Sequence, residues 1–426
     1  MPAPAGRDPH LVVVGASLAG LRAAESARRS GFTGAITLVG AEEHLPYDRP
    51  PLSKDFLTTD AEPAPTLLRD ETVLRDLDIH LRLGTTATGL DTEDRVVATD
   101  AGDVAFTSLV LATGATPRML PGAGRLRGVH VLRTLDDARA IRRAVDAGAR
   151  TVVVGAGFIG SEIASSARAR GCDVTVVEAL PTPLARPVGE TMGRVLAALH
   201  EKHGTRLRVG VGVDGLEGDG DVRAVRLADG TRIQADLVVI GIGVTPNVAW
   251  LAGSGLEIGD GVECDAHLCA GVAGVYAAGD IARWHNPTFD TRMRLEHWTI
   301  AAEQGGVAGR NAVDPAAATA FETVPYFWSD WYGKRIQMVG VASGADEIAT
   351  VAGDPDGDTF VVLYRHGDRL LGALTLEARS QVMKYRAMLA TGASWEDALA
   401  FAKERAAKAA AKTVALSSAD GTSAPL

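Results

Sequence analysis

The stretch from Thr151 to Gly160 reads TVVVGAGFIG, a β-branched run that enters a complete G-x-G-x-x-G pattern at Gly155, Gly157 and Gly160. The first glycine permits a tight turn, the second lets the backbone approach a pyrophosphate, and the third lets the following helix pack closely on the strand. A second strand-like run, DVTVVE, ends in Glu178, where a carboxylate can accept hydrogen bonds from ribose hydroxyls. In this strand–turn–helix context, the pattern predicts a dinucleotide-binding unit.

The same stretch indicates which dinucleotide binds. Glu178 would repel a 2′-phosphate, and no arginine follows it immediately, which favours NADH over NADPH. The alternative interpretation is a glycine turn followed by a surface glutamate.

A weaker copy of the pattern lies near the N-terminus. Leu11 to Gly20 reads LVVVGASLAG, with Gly15 and Gly20 in place but Ser17 at the second glycine position. Serine is small enough to preserve a close approach. Glu42 lies just beyond the second strand-like run, ITLVG, and is the candidate ribose carboxylate, although an ordinary surface glutamate would look the same.

Further repeats extend this plan along the chain. LVLATG (109–114) is echoed by LVVIGIG (237–243), in the same order relative to the glycine turns. A third strand–turn, VYAAGD (275–280), has no counterpart in the second unit. We therefore expect the first unit to be completed by chain that returns after an inserted second unit.

Bulk properties limit the possible functions. The 426 residues suffice for two or three domains, and 43 basic against 53 acidic residues give a net charge of −10. Such a chain is a poor candidate for binding nucleic acid or anionic membranes. No apolar run approaches the ~20 residues that span a membrane, and residues 1–10 lack the apolar core of a signal peptide, so we expect a cytoplasmic protein.

A flavin needs several segments around its ring and ribityl chain, and only the first unit offers them. The candidates are RPPLSK (49–54), the turn at Thr113 and Gly114, and the AAGD turn. Asp280 ends that last turn and could bind ribityl hydroxyls, although an ordinary turn aspartate is the alternative.

Together these motifs resemble the FAD-dependent ferredoxin reductases of bacterial oxygenase systems, within the glutathione-reductase-like flavoproteins. The resemblance covers roughly residues 10 to 405. Its markers are LPYDRPPLSK (45–54), ATGATPR (112–118), GFIGSE (157–162), GIGVTPN (241–247), AAGDIA (277–282), EHWTIAAEQG (296–305) and PYFWSD (325–330).

The resemblance implies an α/β fold with two Rossmann-like domains and a C-terminal α/β domain. It also implies domain boundaries, which are 1–116 and 248–323 for the FAD domain, 117–247 for the inserted NAD domain, 324–412 for the C-terminal domain and 413–426 for a disordered tail.

The resemblance also implies roles for individual residues. Arg49 and Lys54 would line the FAD site, with Lys54 beside the flavin and paired with Glu162. Trp298 would lie beside the flavin or the nicotinamide, and Gly243 would belong to the cofactor-binding turns. Taken outside these motifs, the lysine and glutamate would be read as surface residues and the tryptophan as core packing.

The function implied is transfer of electrons from NADH through FAD to a small acidic [2Fe–2S] ferredoxin, which serves a cytochrome P450 or a Rieske dioxygenase. Two alternatives stay open, namely reduction of a small acceptor such as a quinone or monodehydroascorbate, and NADH sensing as in apoptosis-inducing factor. We expect a monomer or homodimer. Candidate ferredoxin-docking residues are Arg283, Arg292, Arg294, Arg310 and Trp328, while scattered surface charges are the alternative for the arginines.

Two positions depart from the family pattern. Trp331 stands where a polar residue is more usual, and His297 occupies a variable position. Acceptor docking or nicotinamide stacking could differ there.

The cysteines argue against a thiol relay. The chain has no cysteine before Cys172, so it lacks the C-x4-C pair that disulfide reductases carry on the first helix. Related NADH oxidases and peroxidases use a cysteine near the PYDRP segment, where this chain has His44, Leu45 and Pro46. Cys264 and Cys269 precede the AAGD strand and are read as incidental. Three cysteines are also too few for the usual four-thiolate cluster, and we predict no metal site.

Overall fold

A computed structural model describes residues 8–420, with side chains described through residue 408. The chain divides into two compact units. The first contains the chain up to Pro181 together with His200–Thr323, and the second contains Thr182–Leu199 together with the chain from Val324 onward. The segment Thr182–Leu199, which we predicted inside the NAD domain, thus clusters with the C-terminal chain.

The first unit opens with a parallel sheet whose central strand carries the first glycine turn. The β-branched residues of its first strand are fully or almost fully buried, as is typical of a parallel sheet covered on both faces. This part contains β1 (His10–Val14), β2 (Ala35–Val39), β3 (Ile79–Arg82), β4 (Ala87–Asp91), β5 (Val96–Thr99), β6 (Val104–Ala105), β7 (Ser108–Leu111) and β8 (Ala115–Pro117), with helices α1 (Leu18–Arg29), α2 (Asp55–Thr58) and α3 (Glu71–Asp76). Strand β1 pairs in parallel with β2 on one side and β7 on the other.

The second sheet repeats this arrangement. It is built from β9 (Val129–His130), β10 (Thr151–Val154), β11 (Val174–Glu178), β12 (Arg206–Val209) and β16 (Leu237–Ile240), and the same part of the chain contains β13 (Val213–Asp219), β14 (Asp221–Leu227), β15 (Arg232–Gln234), β17 (Val244–Pro246), α4 (Leu135–Asp146), α5 (Phe158–Ala169) and α6 (Ala185–Lys202). Strand β10 pairs in parallel with β11 and β16, as β1 does with β2 and β7.

The chain then returns to the first sheet, as the repeat predicted. The returning segment contains β18 (Ile258–Gly259), β19 (Gly261–Glu263), β20 (Val275–Ala277), β21 (Ala282–Asn286), β22 (Thr291–Met293) and α7 (Trp298–Val313). Strand β20 pairs in parallel with β7, which gives the order β20-β7-β1-β2-β3.

One sequence-based expectation is wrong here. We expected no counterpart of the VYAAGD strand in the second dinucleotide-binding unit. Strand β9 is that counterpart, because the second sheet has the order β12-β11-β10-β16-β9, in which β9 lies where β20 lies in the first sheet. Strand β9 was missed because it has only two residues and comes before the glycine turn in the chain.

A two-stranded ribbon lies where the chain passes between the sheets. Strands β8 and β17 pair antiparallel, and they correspond to ATP and VTP of the repeated markers. The two predicted boundaries between the FAD and NAD domains, 116/117 and 247/248, fall at or directly beside this ribbon, and all the predicted domain boundaries stay predictions.

The second unit is built on a five-stranded antiparallel sheet with helices. Its elements are β23 (Tyr326–Trp331), β24 (Lys334–Gly340), β25 (Glu347–Gly353), β26 (Phe360–His366), β27 (Arg369–Leu376), α8 (Arg379–Ala390) and α9 (Trp395–Asp420), with the sheet order β23-β24-β27-β26-β25. Helix α9 continues through residues 413–420 of the tail predicted to be disordered, and residues 421–426 lie outside the described part.

Helices α1 and α7 of the first unit pack closely because small residues face each other. A Cβ added to Gly305 would lie 2.2 Å from the Ala19 carbonyl oxygen, and one added to Gly309 would lie 2.1 Å from that of Ala23. Gly305 and Gly309 thus let α7 lie against α1, the helix that follows the first glycine turn. Within residues 8–420, no helix is long and apolar enough to cross a membrane.

Candidate functional site

The first glycine turn is shaped by contacts that leave no room for side chains at two of its three positions. Gly15 has φ +117°, and a Cβ there would lie 2.0 Å from the Ala112 carbonyl oxygen. A Cβ on Gly20 would lie 1.8 Å from the Gly15 carbonyl oxygen, so this residue sets the distance between α1 and the strand. Ser17 is the N-cap of α1 with extended backbone and makes no side-chain cap hydrogen bond.

A cavity of about 370 Å³ opens at this turn. Six predicted cofactor-binding residues line it, namely Gly15, Ser17, Glu42, Arg49, Thr113 and Gly114. The sequence analysis did not single out Tyr47, Arg133, Asn247 and Trp250, which also line it.

Tyr47 connects the acidic and basic residues of the cavity. Its hydroxyl donates to Glu42 Oε2 at 2.5 Å and accepts from the backbone N–H of Leu135 at 2.9 Å. Arg49 Nη2 lies 2.5 Å from Glu42 Oε1, and the Arg49 guanidinium lies 5.2 Å from the centre of the Tyr47 ring. Burial raises the pKa of Tyr47 well above its usual range, so the hydroxyl remains a donor. Glu42 is thus held at the cavity wall by two donors.

Arg133 reaches the cavity from the chain segment that precedes α4. Its Nη2 lies 3.0 Å from Asp280 Oδ2, and its carbonyl oxygen accepts a hydrogen bond from Arg49. A Cβ on Gly114, which has φ +69°, would lie 2.8 Å from Arg133 Nη2. Asp280 itself is not among the cavity-lining residues and acts here through Arg133.

The two ATG- and GIG-type turns are tied together by one asparagine. Asn247 Nδ2 donates to the Thr113 carbonyl oxygen at 2.9 Å, and Thr113 Oγ1 donates to the Asn247 carbonyl oxygen at 2.8 Å. Gly243, with φ +94°, is exposed at the start of the ribbon, and its carbonyl oxygen accepts from Arg118 N–H at 2.9 Å. Gly243 therefore shapes the turn and does not line the cavity.

The predicted pairing of Lys54 with Glu162 has the geometry of a strong ion pair. Lys54 Nζ lies 2.7 Å from Glu162 Oε2, with the carboxylate side chain 3% exposed and the lysine side chain 17% exposed. Ser53, buried and unremarked in the sequence analysis, donates to the same oxygen at 2.5 Å. A short 3₁₀ helix, Pro50–Ser53, presents both donors, since its prolines preset the backbone.

Trp298 begins α7 and is tied to the same PYDRPPLSK segment. Its indole Nε1 donates to Asp48 Oδ1 at 2.6 Å, and His297 is the N-cap residue of the helix. Tyr47, Asp48, Arg49 and Lys54 thus all make polar contacts from one stretch of eight residues. That stretch organises the first site.

The second glycine turn is the more open of the two. A Cβ on Gly155 would lie 2.2 Å from the Gly241 carbonyl oxygen and one on Gly160 2.2 Å from that of Gly155, whereas one on Gly157 would meet no atom within 4 Å. The middle glycine is therefore not demanded by the protein's own packing, which also explains why Ser17 is accepted at the matching position of the first turn.

Glu178 is held in place at the end of β11. Its Oε2 accepts from the backbone N–H of Ala156 at 2.9 Å and its Oε1 from that of Leu180 at 2.9 Å. The carboxylate thus lies beside the glycine turn, where a ribose would bind.

The two turns differ at one equivalent position. Gly15 N–H donates to the Val39 carbonyl oxygen and Gly155 N–H donates to the Val177 carbonyl oxygen, both at 2.7 Å. Gly40, beside the first turn, therefore corresponds to Glu178, beside the second. A Cβ on Gly40 would lie 2.5 Å from Ala16 Cβ. The first glycine turn therefore has no side chain at this point, and its carboxylate, Glu42, comes from farther along the loop.

These residues fit two dinucleotides. The first cavity combines a helix N-terminus, two guanidinium groups and a carboxylate, which suit the pyrophosphate and ribose of FAD. The second turn combines an unobstructed glycine, a helix N-terminus and a fixed carboxylate, which suit NAD(H).

The cysteines are free, and Cys172 and Cys264 are buried. Burial raises the pKa of Cys172, Cys264 and Cys269, that of Cys264 to about 12. Thiols of raised pKa are poor nucleophiles, because the thiolate is the reactive form. None of the three lines the described cavity.

The predicted docking residues are mostly neutralised by neighbours. Arg283 and Arg292 share Glu263, and Arg294 lies between Asp260 and Glu296. Arg310 is exposed on the last turn of α7.

The aromatic residues of the second unit differ in exposure. Trp328 is half-buried and stacks on Tyr326 at 5.9 Å. Trp331 is fully buried and its Nε1 donates to Ser329 Oγ at 2.8 Å, so its unusual side chain is a core residue and cannot reach an acceptor.

Family models match both parts of the chain. Residues 9–305 match the family described as pyridine nucleotide-disulphide oxidoreductase, and residues 326–411 match the reductase C-terminal family. The chain belongs to the pyridine nucleotide-disulphide oxidoreductases. It is an oxidoreductase whose family uses FAD and NAD(H), and the predicted fold class is confirmed.

Individual relatives match over nearly the whole length. Rhodocoxin reductase of Rhodococcus erythropolis is 38% identical over 384 residues, which cover 89% of this chain and 89% of the relative. The ferredoxin–NAD(+) reductase component of the anthranilate 1,2-dioxygenase system of Burkholderia cepacia is 35% identical over 91% of this chain and 95% of its own. Among solved structures, the covalent putidaredoxin reductase–putidaredoxin complex aligns with a TM-score of 0.86 at 33% identity, over 90% of this chain and 93% of that one.

Proposed function

We propose that this oxidoreductase passes electrons from NADH through FAD to an acidic [2Fe–2S] ferredoxin that serves an oxygenase, either a cytochrome P450 or a Rieske dioxygenase. The observation that carries the proposal is the near-complete match to the ferredoxin–NAD(+) reductase component of the anthranilate 1,2-dioxygenase system, which covers 91% of this chain and 95% of the relative. When bound, FAD accepts two electrons together from NADH and can release them singly, as a one-electron carrier requires.

The chain's own residues would position the two dinucleotides and stabilise the charge that develops on the flavin. Glu178 and the Gly155 turn hold the adenosine side of NADH, and Glu178 disfavours a 2′-phosphate by charge repulsion. Lys54 would place a cation near the flavin ring and stabilise negative charge there, and Glu162 fixes the orientation of the lysine while itself accepting a hydrogen bond from Ser53.

The anchor of Trp298 on Asp48 keeps the indole at the start of α7. In this position it would lie beside the flavin or the nicotinamide and limit how far the rings can move. The cysteines take no part, because their thiols have raised pKa values and lie outside the cavity.

The test is anaerobic mixing of the purified yellow protein with NADH and then NADPH, followed by a ferredoxin-coupled cytochrome c assay. Rapid bleaching by NADH, with cytochrome c reduction that requires added ferredoxin, is the expected result. Fast bleaching to which ferredoxin adds nothing would assign a small acceptor instead. A slow, oxygen-stable reduced complex would indicate an NADH sensor.

The partner's docking site is also a proposal. Arg310 is exposed, and within residues 8–408 no carboxylate forms an ion pair with it, whereas Arg283 and Arg292 both pair with Glu263. Arg310→Glu should raise the KM for ferredoxin while NADH-to-ferricyanide turnover stays constant. An unchanged KM would remove Arg310 from the interface.

A further inference from the structure

The part of the chain that carries Lys54 is packed into the core around the second sheet. Phe56 of α2 is buried and shares one apolar core with Ile141 of α4 and Ile163 of α5. Residues of β10, β11 and β16 belong to the same core. Residues 53–60, which we call the Lys54 segment, therefore come from the first part of the chain but pack with the helices of the second sheet.

Helix α5 holds the start of the Lys54 segment. The buried Ser166 hydroxyl donates to the Ser53 carbonyl oxygen at 2.7 Å. Glu162, one turn earlier on the same helix, accepts hydrogen bonds from the side chains of Ser53 and Lys54. Because α5 begins directly after Gly157, the helix of the second glycine turn fixes where the segment starts.

Helix α4 holds the other end of the segment through a buried guanidinium. The Arg142 side chain is 3% exposed, and its Nη1 donates to the Phe56 carbonyl oxygen at 2.5 Å. Its Nη2 donates to the carbonyl oxygens of Thr59 at 2.6 Å and Asp60 at 3.2 Å. Helix α2 has only four residues, so its last carbonyl oxygens lack donors within the helix. The planar fork of one guanidinium supplies donors to several of them at once.

The charge of Arg142 is compensated mainly by these carbonyl oxygens. Asp146 Oδ2 lies 3.4 Å from Arg142 Nε, but this carboxylate is 37% exposed and is shared with Arg170. An apolar side chain of similar size would fill the same place without the cost of burying a charge. The guanidinium is therefore better explained by the carbonyl oxygens that it orients than by packing.

We propose that Arg142 is a positioning residue for Lys54. Arg142 does not line the first cavity and acts by holding α2, whose first residue directly follows Lys54. With Ser53 held by α5 and Thr59 held by α4, the backbone on both sides of the lysine is fixed. The cation is thereby kept where the proposed function places it, beside the flavin. The inference rests on that role of Lys54 and does not depend on the electron acceptor.

The test compares two arginines that make the same kind of contact in different places. Arg142→Met removes the donors to the Lys54 segment. Arg28→Met is the matched control, because the Arg28 side chain is 11% exposed and donates at 2.7 Å to the carbonyl oxygens of Phe32 and Leu77, outside the segment. Both variants should lose similar stability in urea unfolding, so a difference between them in flavin reduction reports the position of Lys54.

Two measurements on the flavin-loaded full chain report that position. In stopped-flow reduction by NADH, Arg142→Met should lower the limiting rate about tenfold and leave the apparent Kd for NADH unchanged, because the second glycine turn is not altered. In equilibrium with a reference dye, the same variant should shift the flavin about tenfold toward its oxidised form, which is about 30 mV for a two-electron couple. Arg28→Met should change neither value.

A second background separates positioning from general destabilisation. In Lys54→Met, which has no cation to position, Arg142→Met should cause no further fall in the reduction rate, whereas a purely structural role would slow both backgrounds alike. Arg142→Lys keeps the charge but lacks the fork that reaches two carbonyl oxygens, so its rate should lie between those of wild type and Arg142→Met.

Equal rates and dye equilibria for wild type and Arg142→Met, or equal effects with and without Lys54, would overturn the positioning role while the role of Lys54 stood. If Arg142→Met gave no folded protein, the comparison of Arg142→Lys with Arg28→Lys would decide in the same way. If Lys54→Met itself left reduction unchanged, the proposed role of Lys54 would fall and that of Arg142 with it. The ferredoxin-coupled assay of the wild-type protein tests the proposed acceptor separately.

Discussion

The ion pair between Lys54 and Glu162 offers a quantitative test of how the first site is built. Glu162→Gln keeps the size of the side chain and the hydrogen bond to Ser53 but removes the negative charge, so Lys54 is left as an unpaired cation in a largely buried place. Breaking a fully buried pair costs about 3–5 kcal/mol. Because the Lys54 side chain is 17% exposed and also donates to the Pro50 carbonyl oxygen at 3.2 Å, we expect about 2 kcal/mol.

A double-mutant cycle separates this effect from loss of packing. Lys54→Met alone leaves a buried carboxylate that Ser53 still contacts, while Lys54→Met with Glu162→Gln leaves no charge uncompensated. The double variant should therefore be less destabilised than the sum of the single variants, by a coupling energy of about 2 kcal/mol.

The assay is urea unfolding of the flavin-loaded protein, followed by circular dichroism, with stopped-flow reduction by NADH on the same samples. The reduction rate should fall in both variants that lack Lys54, even where stability recovers. A coupling energy near zero would refute the pairing, and an unchanged reduction rate in the double variant would refute the electrostatic role of Lys54.

Four further outcomes are expected. Glu178→Gln should narrow the preference for NADH over NADPH about tenfold, measured as the ratio of kcat/KM values, because one charge repulsion is removed. Tyr47→Phe should weaken FAD binding about tenfold in a fluorescence titration of the apoprotein, since the Leu135 N–H and Glu42 lose a buried partner. Burial lowers the pKa of His200 from 6.5 to about 4, so the folded protein keeps this imidazole neutral at pH values where the unfolded chain protonates it. The free energy of unfolding should therefore fall as the pH drops from 6.5 toward 4. His200→Gln should remove about 2 kcal/mol of that fall between pH 7 and pH 5, as measured by urea unfolding. Cys269→Ser should leave NADH-to-ferricyanide turnover unchanged, and a loss of activity would reopen a thiol role.

The sequence predicted best those features that depend on neighbours in the chain. The Gly155 and Gly15 turns and the strands before them follow from local patterns of β-branched residues and glycines. Lys54 and Glu162 were paired through resemblance, and the distance of 2.7 Å agrees with that prediction.

The features that were missed depend on contacts between distant segments. Arg133 reaches Asp280 across 147 positions, and Asn247 reaches Thr113 across 134. No local pattern marks Arg133, and Asn247 ends the marker GIGVTPN without its own role being visible there, because each residue becomes part of the site only when the sheets and the ribbon bring separate segments together. Trp331 was misjudged for the opposite reason. Its unusual side chain directly after the PYFWSD marker suggested a role in acceptor docking, but that side chain is buried in the core.

The contrast between Gly40 and Glu178 shows why the second dinucleotide site was easier to predict from the sequence than the first. At the second site the carboxylate is on Glu178, the last residue of β11. It is fixed by the backbone N–H groups of Ala156 in the glycine turn and of Leu180, so spacing along the chain is enough to locate it. At the first site, Ala16 leaves no space for a side chain at Gly40, the matching position, and the carboxylate of Glu42 comes from a loop. A loop carboxylate needs external support, which Tyr47 and Arg49 supply. The first site therefore depends on tertiary contacts where the second depends on local ones, and substitutions of Tyr47 should affect the first site without altering the second.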